Sequence, residues 1–443
     1  MVRRDPNLPV WSDFELAEAA AYIVVSVLTS LGYTLALLKS SLVPSQRVRF
    51  LGYLCDSLLL AFVLTEDKKL KFKTLRESIL SQDTVDLKTL QRFAGKTTSF
   101  SIAVPAARLY TRASFRAISS CIKSPHKSIK VSGDLRREIL YWRFLDNWQG
   151  CLPWFEERHV VMTTYSDASN SGWGGVFPDE SGNSFEVRDY WTPSDRSQPI
   201  VIREALALKN TILAGAGSLA ASRVDAHVDS LPLVRAWSNQ GGKSKALSDV
   251  IQAIYETTLR FNIALSLVYV SSGDNPADTP SRALSDSDCM LSPRVWREVE
   301  RCWGPHSIDL MALDSNAPRD SHGVRLRHFT PWPSVESAGV NIFTQTLQPS
   351  DNAYVFPPLA LVGIVLRFLS SQPCPFTFVT PDPHPRRYWW PIISGRSTDS
   401  VRLGALGDLD VLLFPTPNGS FLTKPLPWDL WAFRVFPNPS IFV

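Results

Sequence analysis

Four acidic residues stand where secondary structure changes. Asp167 follows the β-like run Thr163-Thr164-Tyr165-Ser166, Glu204 opens an apolar-periodic helix, Asp229 ends a second β-like run, and Asp278 starts a short terminal helix. Those settings could bring four carboxylates together on one divalent-metal site, and carboxylate oxygens are the hard donors that Mg²⁺ takes. Each also has a plain structural reading. Asp229 and Asp278 precede or begin helices and would cap them, and Glu204 would sit on a solvated first turn.

The elements that must position these residues follow in order. Residues 159–166 and 172–177 form two strands joined by an Asn/Ser/Gly turn, and a third strand falls near 187–191. A helix over 202–214 buries Ala205, Leu206, Leu208, Ile212 and Leu213. Next come a strand over 224–228, helices over 231–238 and 247–262, a strand over 264–270 and a helix over 276–283. The order βββαβααβα is a mixed α/β layer with five strands.

A length of 443 residues implies two or three domains. The chain carries a net +4, but residues 1–150 hold 22 Lys+Arg against 13 Asp+Glu, a local +9 that leaves −5 for the rest. A basic first third fits a polyanion partner, or a solvated Lys-rich surface. Six scattered cysteines, with no CxxC pair, imply a reducing compartment and no zinc site. No signal peptide opens the chain, so the expectation is an intracellular protein, cytoplasmic or nuclear. The uncharged run over 19–38 has the length of a membrane span, but its Ser, Thr and Gly residues read instead as a buried helix over 13–30 closed by Gly32 and followed by a strand.

Two β-like runs, 33–44 and 48–54, come next, then a basic helix from Lys68 and another around 87–96. Over 128–148 a helix interleaves Leu135, Ile139, Leu140, Trp142 and Leu145 with charges, a packing stripe rather than a nucleic-acid platform. Residues 150–153 read as a linker. From Trp296 prolines multiply, and strands over 308–312, 353–356, 376–379 and 411–414 with a helix over 359–370 give a second α/β domain.

The motifs SDAS-x-x-GWGG, REALAL, HVDS and NPADTPSR, in that order, strongly resemble the ribonuclease H domain that follows the polymerase in retroelements. The resemblance covers roughly residues 158–284. It implies Mg²⁺-dependent cleavage of RNA in an RNA/DNA hybrid, with Asp167, Glu204, Asp229 and Asp278 as catalytic and metal-binding residues. Two Mg²⁺ ions, or Mn²⁺ in their place, are the implied cofactor, with Asp167 bridging both, Glu204 and Asp229 completing one, and Asp278 the other. Strand contacts are expected from Ser169, Asn170, Asn239, Gln240, Lys243, Lys245 and Asn275, the lysines as backbone neutralisers. The loop 271–275 lacks the histidine that some members use to assist product release, which implies slow turnover.

The stretch LGYTLALLKSSLVPSQRVRFLGY resembles the end of a reverse transcriptase palm, and the helices after it a thumb and connection, with Lys39 and Lys96 toward the template–primer duplex. The polymerase's paired aspartates do not occur upstream of Asp13, so this chain alone is expected not to extend a primer. The last third resembles the region after ribonuclease H in DIRS-like tyrosine-recombinase retrotransposons, where a Dam-type adenine-N6 methyltransferase occurs. Phe356 stands where that motif needs an Asp or Asn, so methyl transfer is not expected. The implied division is palm tail and thumb over 1–125, a connecting segment over 126–157, ribonuclease H over 158–284 and a degenerate methyltransferase-like domain over 285–443. Implied partners are an RNA/DNA hybrid and other retroelement-encoded proteins, with no membrane; the rival reading is a catalytically silent nucleic-acid-binding remnant.

Overall fold

A computed structural model describes residues 12–124, 128–154, 161–178, 183–242 and 244–437. The chain divides into two units, Met1–Glu157 and Arg158–Val443. Among the described residues, no helix is long and apolar enough to cross a membrane.

In the first unit, helix α1 (Asp13–Ser30) starts at a reciprocal cap, with the Ser12 side chain accepting from Glu15 N–H and Glu15 from Ser12 N–H. The expectation of a buried helix is corrected: no α1 residue is buried, because no described element covers its apolar side chains. The expected strand over 33–44 is also corrected. Residues Leu37–Lys39 form a 3₁₀ turn instead, since a strand needs a paired neighbour and this run has none among the described residues. The run 48–54 folds back on itself as β1 (Arg47–Phe50) and β2 (Tyr53–Asp56), turning at Leu51 and Gly52, both with positive φ. Strand β3 (Ala61–Leu64) pairs with β2, and helix α2 (Glu66–Leu80) follows.

Strand β4 (Thr84–Asp86) leads into α3 (Leu87–Ser99), and α4 (Arg112–Lys123) follows. The expected helix over 128–148 is broken in two. Strand β5 (Ser128–Lys130) pairs with β4, and α5 (Gly133–Tyr141) tightens into a 3₁₀ segment over Trp142–Asp146. Its stripe is packing, as its spacing implied: Ile139, Trp142 and Leu145 are buried. Trp142 meets Phe72 edge-on at 5.6 Å, and Phe72 packs against Phe93 and Phe100. Fully buried Arg76 donates to Trp142 O at 2.9 Å and to Asp146 at 2.8 Å, so a charge enters this core only with its partner. Half of the expected linker, β6 (Leu152–Pro153), pairs with β3.

The second unit opens with a five-stranded sheet of order β11-β10-β7-β8-β9, made of β7 (Val161–Ala168), β8 (Gly172–Pro178), β9 (Ser184–Tyr190), β10 (Arg223–Val228) and β11 (Ala264–Tyr269). Strands β7, β10 and β11 are parallel, and β8 runs antiparallel to both its neighbours, β7 and β9. The helices are the short α6 (Pro193–Arg196), α7 (Ile200–Ala214), the short α8 (Ala216–Leu219), α9 (Leu231–Ser238), α10 (Lys245–Arg260) and α11 (Asp278–Arg282). This is the mixed five-stranded α/β layer expected from the sequence.

The glycines of β8 explain how helices reach both faces of the sheet. A Cβ on Gly174 would lie 2.5 Å from the Ser281 nitrogen of α11, and one on Gly175 would lie 2.5 Å from the Thr211 hydroxyl of α7.

The rest of the unit holds β12 (Met290–Leu291), α12 (Pro293–Trp303), β13 (Ile308–Asp309), β14 (Arg327–Thr330), β15 (Gly339–Val340), β16 (Ala353–Val355), α13 (Val362–Leu369), β17 (Phe376–Asp382), α14 (Trp390–Arg396), β18 (Asp399–Gly404), β19 (Leu412–Pro415), β20 (Phe421–Thr423) and β21 (Asp429–Val435). Seven strands form one sheet, β15-β14-β13-β16-β17-β21-β18. The first five are parallel, and β21 runs antiparallel to both its neighbours. The order reverses at β13, the place where open parallel sheets leave a crevice at their carboxyl ends. A cavity of about 580 Å³ lies there, lined among others by Asp309, Thr330, Asn341, Tyr354 and Phe356.

A third, three-stranded sheet has the order β12-β19-β20, and the five-stranded sheet is joined to the rest of the unit through β9. Arg188 pairs with Asp288 at 3.1 Å, Trp332 Nε1 donates to Arg188 O at 2.9 Å, and buried Asp189 accepts from Ser315 N–H at 3.1 Å.

Gly174→Ala is expected to cost about 1–3 kcal/mol, because the methyl group meets backbone rather than a movable side chain. Gly217→Ala, at a position with open space around it, serves as the control and is neutral or slightly stabilising. Urea unfolding of the two variants measures both.

Candidate metal centre

Strands β7 and β10 are parallel and in register, Val228 opposite Ser166. The next residue on each is acidic, so Asp167 and Asp229 emerge side by side at the carboxyl ends. Helix α7, with Ala205, Ala207, Leu208 and Ile212 fully buried, crosses this layer and carries Glu204 inward with them. Oxygens of Asp167, Glu204 and Asp229 lie within 4.8 Å of one another. Asp278 opens α11 nearby, but its carboxylate takes Arg282 Nε at 2.7 Å and stands outside that trio. Its charge still acts on Asp167.

Crowding and burial shift the carboxyls upward. Burial, then the charges of Asp229 and Asp167, push Glu204 up to about 9. Burial also raises Asp167; the Ser281 hydroxyl, donating to Asp167 Oδ2 at 2.6 Å, opposes it, and Asp229 and Asp278 add to it. Glu204 Oε2 is buried without a hydrogen-bond partner. A buried polar atom with no partner is rare and marks a missing one, and three clustered hard oxygens fit a divalent cation as that partner.

The other expected contact residues divide by direction. Ser169 faces inward: it donates to Ser281 O at 2.6 Å and accepts from Ser171 and Gly172 N–H. Asn275 is buried, its amide donating to Ser166 O at 3.0 Å and its carbonyl accepting from Ala277 N–H, so it ties the loop before α11 to β7. Asn170 is exposed and accepts from Arg203 at 3.3 Å. Asn239 is exposed and Gln240 half-buried after α9, and Lys245 pairs with Asp249 across one turn of α10. Lys243 lies outside the described residues. Lys39 and Lys96 belong to the first unit, Lys39 exposed and Lys96 half-buried.

Four residues that sequence reading passed over work on this site. Ser281 orients Asp167, Ser272 donates to Asp229 at 2.6 Å, Arg203 holds Ser169 O at 2.8 Å, and Arg282 engages Asp278. Spacing was a signal that could have found two of them, since positions three and four after Asp278 share its helix face.

No family model matches this sequence, and no curated protein matches it. Among solved structures, a foamy viral protease–reverse transcriptase in complex with an RNA/DNA hybrid is 16% identical over 64% of this chain and 38% of that chain, with a TM-score of 0.29. Ribonuclease H1 from Halobacterium salinarum is 15% identical over 26% of this chain and 90% of that one, TM-score 0.23. The compost-derived LC11 ribonuclease H1, in complex with an RNA/DNA hybrid, is 21% identical over 27% of this chain and 90% of that one, TM-score 0.23. Against three foamy viral protease–reverse transcriptases in complex with nucleic acid, the match spans 38–55% of their length.

A carboxyl raised on folding binds its proton more tightly in the native state, so stability is present at low pH and declines as pH rises. For Glu204 the window lies between about 4.5 and 9, with a slope of at most about 1.4 kcal/mol per pH unit. Melting in EDTA should therefore fall with pH across that window, and Glu204→Gln should flatten the fall. Added Mg²⁺ should stabilise most at the alkaline end. Differential scanning fluorimetry from pH 5 to 9 tests all three.

Proposed function

We propose that this protein is a ribonuclease H that hydrolyses the RNA strand of an RNA/DNA hybrid with divalent cations. The observation that carries this reading is the trio Asp167, Glu204 and Asp229, within 4.8 Å at the carboxyl ends of two parallel strands, with the orphaned Glu204 oxygen among them. Asp167, Glu204 and Asp229 would hold one Mg²⁺, and Asp167 with Asp278 a second. Bound there, the cations would supply an activated water and charge stabilisation for the departing 3′-oxygen. Ser281 fixes the Asp167 carboxylate, Ser272 that of Asp229, and Asn275 anchors the loop that delivers Asp278. Asn170, Asn239, Gln240 and Lys245 remain the candidates for the hybrid; the RNA strand is read by its 2′-hydroxyls across the shallow groove and the lysine neutralises backbone. Ser169 and Asn275 support those positions from inside.

The setting we propose is a DIRS-like retroelement polyprotein, divided as 1–125, 126–157, 158–284 and 285–443, acting in cytoplasm or nucleus beside other element-encoded proteins. A methyltransferase-like origin for the last part is favoured by the five parallel strands whose order reverses at β13, the antiparallel β21 and the crevice at β13. Phe356, directly after β16, offers no acceptor for an adenine amino group, so a labelled sulfonium methyl donor should leave no label on adenine-containing DNA.

Digestion of a labelled RNA/DNA hybrid tests the main reading. Wild type should release RNA fragments only with Mg²⁺ or Mn²⁺, and Asp167→Asn should lose at least about 10³-fold in rate while still retaining the hybrid. Hybrid retention by a wild type that makes no fragments would leave the binding remnant as the correct reading.

A further inference from the structure

The fourth carboxylate is not where the other three are. Asp278 is engaged by Arg282 one turn along α11, Nε to Oδ1 at 2.7 Å, and its oxygens stay outside the 4.8 Å cluster. Helix α11 cannot easily shift as a whole, because its Ser281 backbone presses on Gly174 of β8 and its Ser281 hydroxyl holds both Asp167 and the Asp278 carbonyl. The freedom lies in the side chains. Arg282 is 64% exposed and Asp278 37% exposed at their side chains. The groups facing Asp278 and the trio from neighbouring elements are Ser272 on the loop before α11 and Arg203 on α7, and Arg203 is committed to Ser169 O and Asn170.

Resting on the metal-dependent nuclease reading, we propose that Arg282 is a positioning residue, a built-in counter-ion that holds Asp278 apart from Asp167, Glu204 and Asp229 until a second divalent cation displaces it. The first cation meets three carboxyls that already converge. The second must take Asp278 from a guanidinium, so the two bind with unequal affinity. An exposed ion pair is weak enough to be displaced and strong enough to matter. Once released, the guanidinium stays tethered beside the site, in a chain whose loop 271–275 has no histidine.

Calorimetric titration of the chelator-treated full chain with MnCl₂, without nucleic acid, tests this. Wild type should show a tighter and a weaker step. Arg282→Gln should tighten the weaker step by about fivefold, the upper end for an exposed pair, and narrow the ratio between the two. Arg282→Met should do the same, and Arg282→Lys, which keeps the charge, should stay near the wild-type ratio. Circular dichroism in EDTA checks that each variant is folded, and the Met variant decides if the Gln variant is not. Two Mn²⁺ steps whose ratio is unchanged in the folded variants overturn the role of Arg282 and leave the nuclease reading standing. A wild type that binds no Mn²⁺ overturns both.

Discussion

Repulsion between carboxylates at the ends of β7 and β10 is the constraint on which the second unit turns. Parallel pairing forces Asp167 and Asp229 together, and α7 drives Glu204 in beside them under a lid of alanines and leucines. Like charges held this close resist folding unless something neutralises them. The chain answers locally, with Ser281 on Asp167, Ser272 on Asp229 and Arg282 on Asp278, and leaves Glu204 with an unpaired oxygen. That residue is where protons or cations must finish the work.

The carboxylate domain was the most legible part of the sequence, because its core strands read as β-branched runs and its helices as continuous apolar faces. Its motif residues fell at the ends of those elements. What periodicity does not carry is direction. Ser169 and Asn275 looked like contact residues by type, yet both turn inward, since their short polar side chains satisfy backbone groups that a bend leaves open. Ser281 and Arg282 were visible only as neighbours of Asp278, and a hydrogen bond across 114 residues, from Ser281 to Asp167, has no local trace.

Elsewhere the failures have distinct causes. An apolar run such as 33–44 reads as a strand, but strand formation depends on a partner that lies outside the window. The seven-stranded sheet was only partly visible because β14 and β15 are short, and two residue pairs carry each of the ladders that join them to β13 and to each other. The antiparallel β21 sits between β17 and β18, an insertion in spatial order that sequence order conceals.

The Trp332 indole on Arg188 O has a consequence for how the second unit can be divided. Strand β9 is the outer strand of its sheet, and an outer strand with free backbone groups invites pairing with another chain. Here the carboxyl-terminal part of that edge is occupied: an indole takes one carbonyl, Asp288 takes the Arg188 side chain, and Asp189 is buried against Ser315. The last third of the chain thus serves the five-stranded layer as a guard rail, and a cut near residue 284 would leave an open seam for self-association.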